Sequence, residues 1–243
     1  MNTTDLLLYA GIATYPLLWL LERLFPAVPL PRRPLWELAG LLFLTAFMLL
    51  SIWLPAQIPP SWFEISLVSL ALQPLWLQVL AGYAVYTLIG YCWHRSAHHF
   101  DWQWRTFHQM HHFAPRLDVA GSYLFHPLEG AAYTAIAIVA TVTLLGLHPV
   151  AGSAVGFLSA FNAVFQHANI RTPRWIGYLV QRPEAHAVHH QTGLHRYNYA
   201  DLPLWDLLFG TYRSGSNPRR EVGFGELGGA EWAKGLALRN IQR

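Results

Sequence analysis

Histidine is the residue type that stands out in this chain, and it is grouped. His94 and His98 lie four residues apart, His108, His111 and His112 form a His-x-x-His-His pattern, and His186, His189 and His190 repeat it. On a helix, residues i, i+3 and i+4 share a face. Each group therefore aims two or three imidazoles at one point, which is what ligation of a metal ion requires. A lone histidine is more often exposed or hydrogen-bonded than a ligand, but eight of them in three such groups are not explained that way. Imidazole suits iron, zinc, copper and nickel alike, so the donors do not choose the metal. Eight or nine nitrogens exceed the four to six positions of one ion, so two ions with four or five histidines each are expected. The nearby acidic residues Asp101, Asp118, Glu129 and Glu184 form no Glu-x-x-His pattern, unlike carboxylate-bridged dimetal bundles. The single cysteine, Cys92, excludes an intrachain disulfide and any site built from several thiolates.

Other histidines are graded by position. His167, followed by Asn169 and Arg171, closes an apolar stretch at the depth expected for His94 and is a ninth candidate. His99 points about 100° away from His98 on a helix, which suits an orienting or solvent-facing role. His126 and Glu129, in His126-Pro127-Leu128-Glu129, and Asn169 are candidates for orienting ligands from behind, with a helix-start role equally open to His126. His148 falls at the opposite end of the apolar segments and cannot join, and His195 is left outside the set.

Long uncharged segments must carry these groups. The chain has 243 residues, 53% hydrophobic and only 12% charged, against about 25% charged in a soluble domain. Leu38–Phe63, Ile65–His94 and Gly130–Ile170 hold no Asp, Glu, Lys or Arg. A span needs roughly 20 apolar residues, which predicts crossings near 5–22, 36–54, 74–93, 130–147 and 149–167, the last two separated by a turn at Gly146 and Pro149. Residues 55–73, with Pro55, Pro59 and Pro60, read as an interfacial or re-entrant piece. The expected fold is an all-α integral membrane bundle of four to five spans in one domain over 1–243. A helical cap of residues 94–129 and 171–243 carries the histidine-rich dimetal site. Within it 214–218 reads as a loop and 230–243 as a short surface helix.

If the spans alternate, all sixteen Lys and Arg fall on one face, which the positive-inside rule makes cytoplasmic. That places the N-terminus outside and the histidines inside. Met1–Asp5 lacks the basic start of a cleavable signal peptide. A net charge of +3 without a basic run argues against a nucleic-acid partner.

His94-Arg95-Ser96-Ala97-His98, His108-Gln109-Met110-His111-His112, Phe165-Gln166-His167-Ala168-Asn169 and His186-Ala187-Val188-His189-His190 together resemble the fatty acid hydroxylase/sterol desaturase superfamily. So do His126-Pro127-Leu128-Glu129 and the segment from Asn198-Tyr199 through Leu204-Trp205-Asp206 to Phe209-Gly210-Thr211-Tyr212. The resemblance covers roughly residues 80–213, with Ala200 where relatives often carry Gly. It implies a four- to five-span helical fold with two irons (zinc being a possible substitute in purified material) in a cytoplasmic cap. It adds His167 to the ligands and leaves His98 and His99 as alternatives. It also implies O2-dependent hydroxylation or desaturation of a lipid such as a fatty acyl chain, sphingolipid or sterol.

The residues agree with that chemistry. The chain has no haem-attachment motif, dinucleotide-binding turn or cysteine cluster, so the two electrons of each turnover must come from an external donor, a ferredoxin or a b-type cytochrome with its reductase. Such an acidic partner suits the basic face. Trp93, Trp102, Trp104, Phe107 and Tyr123 are candidates to line the substrate groove, with interfacial or core packing the more ordinary role. The competing function, a membrane metal transporter or metal-binding protein, calls for ligands at midplane depth, where the spans have none. The expected location is a multi-pass membrane protein of the bacterial inner membrane or, in a eukaryote, of the endoplasmic reticulum.

Overall fold

A computed structural model describes residues 1–215, 221–224 and 229–241. The regular structure among the described residues is helical, apart from one isolated bridge between Gln191 and Val222. Helices α1 (Thr3–Leu24), α2 (Trp36–Ala56), α3 (Leu75–His99) and the run Pro127–Leu144 are long and apolar enough to cross a membrane. Helix α6 (Pro149–Phe165) is apolar but shorter. The chain is a multi-pass membrane protein, with four spans of full length and a fifth, 17-residue helix packed among them.

Each helix begins and ends where the residues dictate. Asn2 and Asp5 close a reciprocal capping box at the start of α1. Helices α5 (Pro127–Ile138) and α6 both start with Pro at the first position, behind His126 and His148 rings that accept from Leu128 N and Val150 N. Helix α5 loosens into a π-turn over Val139–Leu144 and ends at Gly146, whose φ of +47° favours glycine. The carbonyls of Thr143, Leu144 and Leu145 then accept from the backbone N–H groups of Leu67, Val68 and Leu70. The 55–73 piece, with a 3-10 turn over Pro60–Glu64, thus folds back to close this end of the bundle.

Helices α1 and α3 pack on α6, and α2 packs on α5. Small side chains permit the close contacts: Ala140 and Ala151 are fully buried beside Val155 and Tyr86. At the other end, buried carboxylates tie the bundle to the cap. Glu22 accepts from Val119 N and Asn169 N. Asp118 accepts from the Trp36 indole, Gly121 N and the Arg116 guanidinium. At Gly40 of α2 the backbone passes so close to Ala120 that a Cβ would stand 2.3 Å from its carbonyl oxygen.

The cap comprises short pieces: α4 (Asp101–Gln103), a π-turn over Trp104–His108, a 3-10 turn over His111–Phe113, α7 (Pro183–His189), α8 (Pro203–Leu208) and α9 (Gly229–Leu236). Helix α9 starts at Gly229 and ends at Leu236, shorter than the surface helix expected over 230–243; residues 237–241 are not helical, and 242–243 lie outside the described residues. The same is true of residues 216–218 of the expected loop.

Candidate metal centre

Nine histidines meet where the spans join the cap, and they meet as two groups. His94, His98, His108, His112 and His189 form one, and His111, His167, His186 and His190 the other. Within each group the donor nitrogens lie within 4.8 Å of one another. Every ring except the half-buried His98 is buried.

The sequence pattern suggests that each box converges on a single point, and here the structure differs. His108 and His112 go to the first group while His111 goes to the second. His186 and His190 go to the second while His189 goes to the first. The cause is helix geometry: i and i+4 stand nearly in register, whereas i+3 is rotated by about 60° from i. A box of three therefore divides between the two groups, giving a pair to one and a single ring to the other.

Several outer nitrogens are held from behind, while His111 Nδ1, His186 Nδ1 and His190 Nδ1 have no hydrogen-bond partner among the described residues. His94 Nδ1 faces the Tyr199 carbonyl at 2.7 Å, His189 Nδ1 the Tyr197 carbonyl at 2.8 Å, and His167 Nδ1 the Ala163 carbonyl at 2.7 Å. His108 Nδ1 faces Glu129 Oε1 at 2.5 Å, both side chains being fully buried. His98 hydrogen-bonds the His195 carbonyl. A carbonyl only accepts, so His94, His189 and His167 must carry their proton on Nδ1, leaving Nε2 a bare lone pair in the neutral ring. Burial does keep these rings neutral. It holds His108, His111, His112, His186, His189 and His190 well below the usual histidine range, with neighbouring imidazoles adding to the effect.

That arrangement fits a cation. His94 Nε2 and His189 Nε2, both bare, are 3.0 Å apart. His94 Nε2 to His108 Nε2 is 2.9 Å and His108 Nε2 to His112 Nε2 is 3.1 Å. In the second group His167 Nε2 stands 3.1 Å from both His111 Nε2 and His186 Nε2, and His186 Nε2 stands 3.1 Å from His190 Nε2. Lone pairs facing at such distances repel unless a positive ion lies between them. Edges near 3 Å are those of nitrogens held about 2.1 Å from a shared ion at right angles. Both groups could hold a metal.

The remaining candidates separate by contact. Glu129 reaches a ring of the first group. His126 caps α5 and does not orient a histidine. Asn169 spends both ends of its amide on Val28, fastening the α1–α2 connection. His99 is exposed and packs edge-on against Phe100. Sequence reasoning missed His195, whose Nδ1 lies 3.0 Å from His112 Nδ1. It also missed the backbone carbonyls, which carry no side-chain signal. Their one clue was the Asn198–Tyr212 segment: Asp206 accepts from Tyr199 N, Ala200 N and the Thr211 hydroxyl, and Asn198 bridges Ala185 and Arg213, so the segment holds Tyr199 against His94.

A cavity of about 540 Å³ opens on the histidines and runs between the helices. His94, His108, His111, His167 and His186 line one end, and Leu8, Pro55 and Gly152 the other. From Gly152 to Val164, both on α6 and both lining the cavity, the helical rise is about 18 Å. Of the aromatic groove candidates, Tyr123 lines this cavity. Trp104 packs against the His98 and His112 rings, and Trp93 packs on Phe107.

Residues 79–211, which contain all nine histidines, match the family model described as fatty acid hydroxylase. No curated protein and no solved structure matches the chain.

Proposed function

The chain belongs to the fatty acid hydroxylase family, and we propose that it is an O2-dependent oxidoreductase that hydroxylates or desaturates a membrane lipid at a pair of iron ions. The observation that carries this reading is the junction of the two histidine groups with a long apolar cavity. The cavity's volume lies within the range of roughly 300–1,000 Å³ common to small-molecule sites, and its walls are mostly aliphatic and aromatic, as an acyl chain or sterol demands.

Iron bound by such histidines supplies the oxidising power that cleavage of an unactivated C–H bond needs. The chain's own residues do the rest. His94, His98, His108, His112 and His189 hold one ion, and His111, His167, His186 and His190 hold the other. Glu129 faces the outer nitrogen of His108, and the carbonyls of Tyr197, Tyr199 and Ala163 fix the tautomers of His189, His94 and His167, so these donors are ready without proton loss. Tyr15, Phe47, Tyr86 and Tyr123 line the cavity beside the histidines, and they position the reacting carbon and exclude water. The lipid reaches the cavity from the bilayer. Two electrons arrive from a ferredoxin or a b-type cytochrome with its reductase at the basic face, which we place in the cytoplasm with the N-terminus outside. A bacterial inner membrane, or the endoplasmic reticulum of a eukaryote, suits this arrangement.

The test is comparative lipid mass spectrometry on cells that express the protein or its His111→Ala variant. Gains of about 16 or losses of about 2 mass units, from oxygen insertion or hydrogen removal, should depend on intact histidines. Unchanged lipids combined with metal flux in proteoliposomes would reverse the reading in favour of transport.

A further inference from the structure

We propose that His195, which lies outside every histidine box, is a positioning residue for the five-histidine ion site, holding His112 through its ring and His98 through its carbonyl. The inference rests on the metal-centre reading above and assigns a role within it.

The geometry is specific. His195 Nδ1 stands 3.0 Å from His112 Nδ1, with the two rings nearly perpendicular at 88°. The His112 Nε2 atom faces the first group, 3.1 Å from His108 Nε2. If His112 gives Nε2 to an ion, its proton must sit on Nδ1, and only a lone pair can face that proton. His195 must then accept through Nδ1 and carry its own proton on Nε2. The same residue's carbonyl bonds His98. One residue thus fixes two of the five donors from outside.

The backbone is bent to achieve this. His195 has φ +42°, Tyr197 +67° and Asn198 +50°, in a loop that begins with Gly193 at +74°. Left-handed conformations in non-glycine residues persist only where surrounding contacts over-determine them, and they gather at functional sites. Here the contacts are the Asn198 and Asp206 hydrogen bonds described above, together with the Trp104 and Phe224 rings packed on His195 at 5.9 and 5.0 Å. The strained turn delivers the His195 ring and the His195, Tyr197 and Tyr199 carbonyls to four members of one group. Outer partners of metal-bound histidines typically contribute 10- to 100-fold in metal affinity.

Two near-isosteric substitutions separate this role from packing. In His195→Asn, Oδ1 replaces the Nδ1 lone pair, and Asn tolerates a positive φ. In His195→Leu a methyl group takes the same place. Zinc affinity, measured by chelator competition on the purified metal-free protein, should fall about 10- to 100-fold in His195→Leu at one of the two zinc equivalents. It should stay near the wild-type value in His195→Asn. Equal binding by the Leu variant and wild type, or an Asn variant as weak as Leu, overturns the proposal. A second measurement needs no variant: in the 15N-histidine-labelled zinc protein, NMR should find His195 protonated on Nε2 and His112 on Nδ1, and the reverse tautomer at His195 refutes the assignment. A wild-type chain that takes up no zinc refutes the metal-centre reading itself, and this proposal with it. A loaded wild type beside an unaffected Leu variant refutes this proposal alone.

Discussion

Replacing Glu129 with Gln should stabilise the metal-free protein and weaken the metal-loaded one. The carboxylate is 1% exposed. One oxygen bonds His108 Nδ1 and the other has no hydrogen-bond partner among the described residues. Burial keeps His108 neutral, so without metal the Glu129 carboxyl has no charged partner and must either hold an uncompensated charge in the interior or take up a proton. An amide keeps one acceptor for the His108 N–H and avoids both costs. The gain expected is about 1–3 kcal/mol, the scale of relieving a poorly compensated buried polar group. Metal reverses the sign. A divalent ion on the far nitrogen of His108 would lie about 6.5 Å from the carboxylate, and at an effective dielectric of about 20 their attraction is about 5 kcal/mol. That is a ceiling, and the loss of affinity expected is about 10- to 100-fold. The assay is thermal or denaturant unfolding of both proteins in detergent, with and without zinc, alongside chelator competition. The reasoning is refuted if the Gln variant is less stable than wild type in both states, or if it binds zinc equally well.

Asp206→Ala removes the acceptor of three hydrogen bonds, one buried and two partly buried, and at up to about 1–3 kcal/mol for each orphaned donor it should cost a few kcal/mol in unfolding experiments and release metal, although its hydrogen bonds go to Tyr199, Ala200 and Thr211 and not to a histidine ring. Gly156→Phe, at a position where a Cβ would meet nothing within 4 Å and which lines the cavity, should leave the melting temperature and metal content unchanged while abolishing the lipid mass change; a fully active variant would remove the cavity from the mechanism. The metal-free protein should lose stability as pH falls below about 6.5. Its buried histidines titrate lower in the folded state than in the unfolded state, so below their unfolded pKa the unfolded chain binds more protons, at up to about 1.4 kcal/mol per pH unit per ring. Above pH 7 these rings are neutral in both states and add no slope of their own. Stripping metal with a chelator should lower the melting temperature, because the facing lone pairs of His94 and His189 then lose the ion that reconciles them.

The residues whose chemistry depends on type and near neighbours were legible in the chain itself. Helical spacing within His94–His98 and the two His-x-x-His-His boxes marked the donors, because i, i+3 and i+4 lie within one turn of each other. Uncharged runs of span length marked the crossings, since no partner elsewhere is needed to make a segment apolar. The breaks at Gly146 and Pro149 were legible for the same reason. What the chain did not disclose is pairing across distance. His94 meets His189 over 95 positions and His112 meets His195 over 83. Whether a box serves one ion or two depends on how its helix is rotated against the others. Glu129 was placed among the orienting candidates by proximity to a motif, but Asn169 and His99 stood on the same footing, and only packing separated the one that reaches a ring from the two that do not.

The amino-acid sequence therefore determined which atoms could bind metal and which segments are long and apolar enough to cross a membrane, since both are properties of a turn or a run of residues. The tertiary structure decided how nine imidazoles divide into five and four, which carbonyls fix the protons of His94, His167 and His189, and that a cavity between the helices ends on the histidines. Those are relations among segments far apart in the chain. They are set by strained backbone at His195, Tyr197 and Asn198 and by helix packing, and no local pattern encodes either.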